Sequence, residues 1–290
     1  MKRSPALSRH GTTRPHRLSH FGLGLGLSLL GSGASAAPQP EAGWGLPRNV
    51  SLHGARTDWL IEVTTVFVGL LFAVTVVWLL WSALFHGPKH RAVYDLGSAR
   101  QQVIKALALS VLIFGVVDGN LFVSGMADLD DAFWAFDKAN AAPNAVRVQV
   151  NAHQWAWDIR HPGADGQFNT PDDIVTFNEL HVPTGAPVIV QLAATDVIHS
   201  FSLPHFRTKQ DAVPGSITRL WFQAKDTGDF EISCAQHCGV NHYKMRGVLK
   251  VLTPDAYEAW LHEASKLAAR AYDPLDEGAH WGWDWDRRNH

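Results

Sequence analysis

The sequence predicts a two-helix transmembrane hairpin carrying an all-β external domain of sandwich or barrel type. Three observations predict it. Two long apolar runs flank a basic segment, the pattern changes after residue 144 from helical to strand-like alternation, and residues 234–245 hold a cluster of soft metal ligands within the β part.

At 290 residues the chain has room for one or two domains. Its net charge of -2 and pI near 6.8 lack the basic balance of a nucleic-acid binder, so no nucleic-acid partner is expected. Residues 1–36 read as a secretory signal. Lys2, Arg3, Arg9, Arg14 and Arg17 form a basic region, 21–30 a short apolar one, and Ala34-Ser35-Ala36 a small-residue cleavage site. Cleavage leaves an external N-terminal segment at 37–58.

The hairpin is expected over 59–126. Its first span, 63–85, carries no charge and has Trp59, Trp78 and Trp81 toward its ends. It is long enough for a bilayer core of ~30 Å, with aromatics suited to the interfaces. The second, 106–126, contains Asp118 and Asn120. Either the helix crosses and Asp118 faces a protein partner or water, or it ends before Asp118 and leaves that residue at the interface. Lys89, His90, Arg91, Arg100 and Lys105 between the spans mark a cytoplasmic loop, which places everything after Met126 outside.

A linker is expected at 127–144, with Asp128, Asp130, Asp131 and Asp137, and then a β domain at 145–253. Val146, Val148, Val150 and Ala152 alternate with polar residues, and Trp155, Trp157 and Ile159 alternate on the opposite parity. That switch predicts a bulge near His153 and Gln154. Further strands are expected at 188–193, 217–224, 229–234 and 248–252, with Pro and Gly turns between them.

The insert at 162–173 places Asp165, Asp172 and Asp173 around Gly163, Gly166 and Pro171. Its spacing is not that of an EF-hand, and it reads as a solvated acidic hairpin loop. The C-terminal part, 254–290, begins with a helix at 256–271 whose stripe is Trp260, Leu261, Ala264, Leu267 and Ala268. Its tail has Trp281, Trp283 and Trp285 at a spacing of two, suited either to packing on a partner subunit or to a frayed end.

Both cysteines of the chain lie in Cys234-Ala-Gln-His-Cys238-Gly-Val-Asn-His242-Tyr-Lys-Met245. Thiols, imidazole and thioether favour copper over magnesium or calcium. A disulfide would leave His242 and Met245 without a purpose. Methionine is a poor zinc ligand. A helix stripe conflicts with the strand alternation of Phe230, Ile232 and Cys234, and a single blue copper needs only one cysteine. Two thiolates permit two bridged coppers, which require a further histidine. His199 is the candidate, because it follows a strand that sheet packing could bring beside the loop.

The spacing Cys-x3-Cys-x3-His-x2-Met is joined by Asp-Val-x-His-Ser-Phe-x-x-Pro at 196–204, Lys-Gln-Asp-Ala-Val-Pro-Gly at 209–215 and Gln154-Trp155-Ala156-Trp157. With the two-span hairpin, these closely resemble subunit II of the cytochrome c oxidases over most of residues 59–262. The metal loop alone also occurs in nitrous-oxide reductases, which differ upstream in having a propeller and no hairpin.

The resemblance implies a cupredoxin-like, Greek-key β-sandwich or barrel with a binuclear copper centre, CuA. Cys234 and Cys238 would bridge both coppers, and His199 and His242 would bind one each. Met245 and the backbone carbonyl of Gln236 would be weak ligands. Trp155 matches the residue through which electrons arrive from docked cytochrome c, and Asp158, Asp196, Asp226 and Asp229 would complement a basic donor. The implied protein is a subunit of cytochrome c oxidase, an oxidoreductase and translocase of the bacterial inner membrane. Its external domain would be periplasmic, and its electrons would pass to haem in subunit I, where oxygen is reduced. A copper subunit of a nitric-oxide reductase and a copper-binding or delivery protein are the alternatives.

The chain also departs from the family. Gln236 stands where many members have a glutamate that reaches a magnesium ion, so the magnesium loses a charged ligand. Ala156 replaces an aromatic, and the usual Trp-Thr-x-x-Pro of the second span is absent. None of Gln101, Gln102 and Lys105 matches the carboxylate that many relatives carry before that span. His237 is an extra imidazole between the cysteines.

Overall fold

The computed structural model describes residues 45–87, 89–91, 94–273 and 275. The signal reading at 1–36 and the Trp281, Trp283 and Trp285 tail lie outside them. The first helix, α1 (Gly54–Phe85), is apolar all round and leaves large side chains such as Trp78 and Leu84 exposed, unlike the core helix of a soluble domain. It starts five residues earlier than the expected hairpin. At Gly54 the chain passes so close to the Asn49 side chain that a Cβ would collide with it.

The second helical stretch runs through α2 (Arg100–Val111), a π-helical segment (Leu112–Asp118), α3 (Gly119–Asp128) and another π-helical segment (Leu129–Phe133). Both this stretch and α1 are long and apolar enough to cross a membrane. The reading in which the helix stops before Asp118 is therefore corrected. Apolar residues on both sides, Val116, Val117, Leu121 and Phe122, carry the helix past the single carboxylate.

The expected linker is corrected as well, because helix continues to Phe133 and α4 (Phe136–Ala141) follows. Two of its four acids are met by cations, with Arg56 of α1 3.7 Å from Asp128 and 3.3 Å from Asp131, and Lys138 3.7 Å from Asp131. Neutralised in this way, they do not break the helix.

The β domain is two five-stranded sheets around one core. One sheet has β1 (Val146–His153), β2 (Ala156–His161), β3 (Ile174–Phe177), β5 (Pro187–Ala194) and β8 (Thr218–Gln223), in the order β3-β2-β1-β5-β8. The other has β4 (Glu179–Pro183), β6 (His199–Leu203), β7 (Thr208–Ala212), β9 (Gly228–Cys234) and β10 (Arg246–Leu252), in the order β4-β10-β9-β6-β7. The pairs β1·β5 and β4·β10 are parallel, and the other pairs are antiparallel. Val148, Val150, Trp157, Ile159, Val190, Leu192, Phe201 and Leu249 fill the space between the sheets. This is the two-helix hairpin and cupredoxin-like sandwich that the sequence leads one to expect.

The bulge near His153 and Gln154 is corrected to a hairpin. β1 and β2 are separate antiparallel strands with His153 opposite Ala156, and Gln154 and Trp155, joined by a cis peptide bond, make the turn. The change of parity marks a reversal of the chain rather than one extra residue in a strand.

The acidic insert joins β2 to β3 as a hairpin loop, but Asp173 turns inward. Arg160, 1% exposed, donates to Asn169 Oδ1 at 2.8 Å and lies 3.7 Å from Asp173. Asp172 accepts from the Ala164 N–H at 2.8 Å. The loop is solvated at residues 164–167, as expected, while Asp173 serves as a counter-charge to the buried Arg160.

Helix α5 (Pro254–Ala271) is capped by the Thr253 side chain, which accepts from the Ala256 N–H at 3.3 Å. Its buried residues are Tyr257 and Ser265, while Leu267, expected on the apolar stripe, is 68% exposed. Trp260 sets the docking face. It stacks on His181 at 4.1 Å between ring centroids and meets His161 edge-on at 5.0 Å.

His161 is fully buried, and neither ring nitrogen has a hydrogen-bond partner among the described residues. Burial, reinforced by the neighbouring His181, pushes its pKa down to about 3. The unfolded chain therefore takes up a proton near pH 6.5 that the folded chain refuses until about 3. Stability is complete above 6.5 and is lost as pH falls through that window, by up to about 1.4 kcal/mol per unit. Denaturant titrations of the parent and His161→Phe at pH 7, 6 and 5 should show a flatter acid loss in the variant. Equal slopes would contradict this account.

An N-terminal strap ties α1 to the β domain. The Val50 N–H donates to His205 O at 3.0 Å, Lys225 N–H donates to Val50 O at 2.9 Å, and Leu52 N–H donates to Gln223 O at 3.0 Å. Arg207 donates to Asp58 at 2.6 Å and to Pro47 O at 2.7 Å.

Candidate metal centre

The site lies where β6 and β9 begin and end side by side. Phe201 pairs with Cys234, which places His199, the first residue of β6, next to the last residue of β9. The Ala235 N–H donates to Ser200 O at 3.0 Å, and the Cys234 N–H donates to Met245 O at 3.2 Å, so the loop leaves and returns on the same sheet. Between them Gly239 sits at φ +121°, a conformation open to glycine. A 3-10 turn, His242–Lys244, then swings His242 and Met245 back over the cysteines.

The two thiols are free and buried, with their sulfurs 3.7 Å apart. The disulfide reading is thereby set aside, as is the helix stripe, because the ligands come from a strand end, a loop and a 3-10 turn. One ligand atom each of His199, Cys234 and Cys238 lie within 4.8 Å of one another and could hold a metal ion. His242 Nδ1 is 3.6 Å and Met245 Sδ 3.7 Å from Cys238 Sγ. The Gln236 carbonyl oxygen is 3.1 Å from Cys234 Sγ. All six residues singled out in the sequence thus converge. His237 is exposed, its ring centroid 5.4 Å from that of His242.

His199 is fully buried. Its Nε2 is 2.8 Å from Asp196 Oδ1, while Nδ1 is buried and has no hydrogen-bond partner among the described residues. A carboxylate on one ring nitrogen fixes the tautomer and frees the other for a metal. Trp157 packs edge-on to His199 at 6.1 Å and to Phe201 at 5.2 Å, so the ligand rests on the core.

Burial raises the Cys234 thiol, but His199 and the backbone of Ser200 and Gln236 outweigh it and hold the pKa below its ordinary value. Burial and the neighbouring Cys234 sulfur push Cys238 up. The metal-free pair therefore favours one thiolate and one thiol, and a cation that binds both must displace the second proton.

Trp155 is half-buried and packs against the core, and its Nε1 donates to the Cys238 carbonyl at 3.3 Å. Trp155 therefore packs as a core aromatic and also touches the ligand loop. Asp196 is not a free surface charge. It holds His199 and accepts from the N–H groups of Val197 and Gln154 at 2.6 Å each. Asp158 and Asp226 are also engaged, 3.3 Å from His153 and 2.7 Å from Arg48. The orienting role of Asp196 was legible only in its position three residues before the histidine.

The fold and site define a class: a cupredoxin-like domain on a two-helix hairpin, with a buried thiolate and imidazole pocket suited to a soft metal. Residues 146–252 match the family profile described as "Cytochrome C oxidase subunit II, periplasmic domain". The alternative cytochrome c oxidase subunit 2 of Bradyrhizobium diazoefficiens is 29% identical over 254 residues, which is 78% of this chain and 85% of the relative. Cytochrome c oxidase subunit 2 of Cereibacter sphaeroides is 29% identical over 265 residues, covering 78% and 82%. The crystal structure of the periplasmic domain of subunit II of cytochrome oxidase of Bradyrhizobium japonicum aligns at 28% identity and a TM-score of 0.38. The alignment covers 43% of this chain and 96% of that one. The chain is thus similar to cytochrome c oxidase subunit 2 proteins over most of its length, and its β domain matches the profile of their periplasmic domain.

Proposed function

We propose that the chain is the electron-accepting subunit of a respiratory haem-copper oxidase, taking electrons from reduced cytochrome c at a binuclear CuA centre and passing them to haem in subunit I. The observation that carries this reading is the pair of free, buried sulfurs 3.7 Å apart, ringed by two imidazoles, a thioether and a backbone carbonyl. Bound copper supplies a one-electron redox couple there.

The chain's own residues do the rest. Cys234, Cys238, His199 and His242 would hold the copper, with Met245 and the Gln236 carbonyl as weaker ligands. Asp196 and Trp157 prevent His199 from turning, and a buried cage that changes little between redox states suits rapid electron transfer. Trp155, which donates to the Cys238 carbonyl at 3.3 Å, would be the point at which electrons enter. Gln236 offers a neutral amide where a magnesium site needs a carboxylate, so no role is derived for magnesium. The two helices anchor the chain in the bacterial inner membrane with the β domain on the periplasmic side.

The full-length chain loaded with copper should hold two ions, and its hyperfine pattern should show one electron shared between both nuclei. A single copper ion would refute the binuclear centre. In the native complex, reduced cytochrome c should support oxygen consumption. Nitric-oxide consumption in its place would move the assignment to a nitric-oxide reductase, and neither activity would leave a copper-carrying protein.

A further inference from the structure

The turn between β1 and β2 touches the ligand set at two points. Gln154 Nε2 donates to the Cys238 carbonyl oxygen at 2.8 Å, and Trp155 Nε1 donates to the same oxygen at 3.3 Å. At its other side the turn's own N–H, on Gln154, donates to Asp196 Oδ2, while Asp196 Oδ1 holds His199 Nε2 at 2.8 Å. The hairpin tip thus links the histidine from β6 to the cysteine of the loop. The two surfaces are pressed together: a Cβ on Gly239 would sit 3.0 Å from Gln154 Nε2 and 3.3 Å from the Trp155 ring.

We propose that Gln154 is a positioning residue whose side-chain amide clamps the Cys238–Gly239 peptide and so keeps the Cys238 sulfur facing its partners, independently of electron arrival at Trp155. The amide is the shorter and better placed of the two donors. It satisfies a carbonyl next to a ligand in a loop that no strand pairing holds. It also lets one turn register both halves of the site through the Asp196 carboxylate. Outer hydrogen bonds of this kind typically change metal affinity 10- to 100-fold when removed. This inference rests on the copper reading only for its metal arm.

The test uses the full-length chain in detergent with Gln154→Met, which keeps the shape and removes the donor, Gln154→Glu, which offers only acceptors, and Gln154→Lys, which restores a donor. In the metal-free protein, amide exchange across residues 235–241 should rise about tenfold in the Met and Glu variants and stay within about twofold of the parent in the Lys variant. In the copper-loaded protein, release to a chelator should accelerate about tenfold or more in the same two variants, and the Lys variant should recover. Unchanged exchange and release in Gln154→Met overturn the proposal, as does a Lys variant that behaves like Met. A parent chain that takes up no copper refutes the metal reading instead, and the exchange measurement still decides the clamp.

Discussion

Replacing Cys238 with serine is expected to abolish the proposed two-copper centre. Its sulfur is the common neighbour of the site, lying 3.7 Å from Cys234 Sγ, 3.6 Å from His242 Nδ1 and 3.7 Å from Met245 Sδ. A hydroxyl is a harder, more weakly binding donor that cannot bridge soft copper ions as thiolate does. Copper content should fall from two ions per chain to one or none, and the shared-electron spectrum should vanish with it. His237→Ala serves as the contrast. That imidazole is exposed, with its ring 5.4 Å from that of His242, so two coppers should remain. A Cys238→Ser protein that still held two coppers would exclude the bridging role.

Trp157→Ala is expected to cost about 3–5 kcal/mol of domain stability, the usual range for deleting a buried aromatic. Trp157 is fully buried on the core face of β2, and its ring supports both Phe201 and His199. The same truncation removes the wall against which His199 rests, so copper uptake should weaken along with folding. Denaturant midpoints of the metal-free protein measure the first effect. Trp157→Phe retains an aromatic wall and should recover most of both. A loss under about 1 kcal/mol in the alanine variant would show that the cavity collapses without consequence.

Much of this arrangement could be read from residue order, because the signals were local. Charge-free length marked α1, and the spacing of cysteines, His242 and Met245 marked one loop. β5, β8, β9 and β10 alternate or carry β-branched runs, and all four were expected. What escaped depended on contacts distant in sequence. The Gln154-Trp155 turn has no glycine or asparagine to announce it. It is held by Asp196 and by Cys238, 42 and 84 residues away. β3, β4, β6 and β7 are short and interrupted by polar residues, so their pairing comes from neighbours rather than from their own pattern. Helix α4 and the π-helical extension carry acids that suggest a linker until Arg56 and Lys138 are placed beside them. Asp173 reads as a surface charge only while the buried Arg160 is unknown.

The N-terminal strap bears on mechanics. Because the residues just before α1 are hydrogen-bonded to the β domain at Gln223, Lys225 and His205, and Arg207 grips Asp58 on the first turns of the helix, the domain has no slack tether at that corner. It is cantilevered from the helix rather than swinging on a leash. Under the proposed function, a carrier so mounted would meet its acceptor across a constant gap, and because tunnelling falls steeply with distance the strap would trade the reach of a mobile arm for a steady rate.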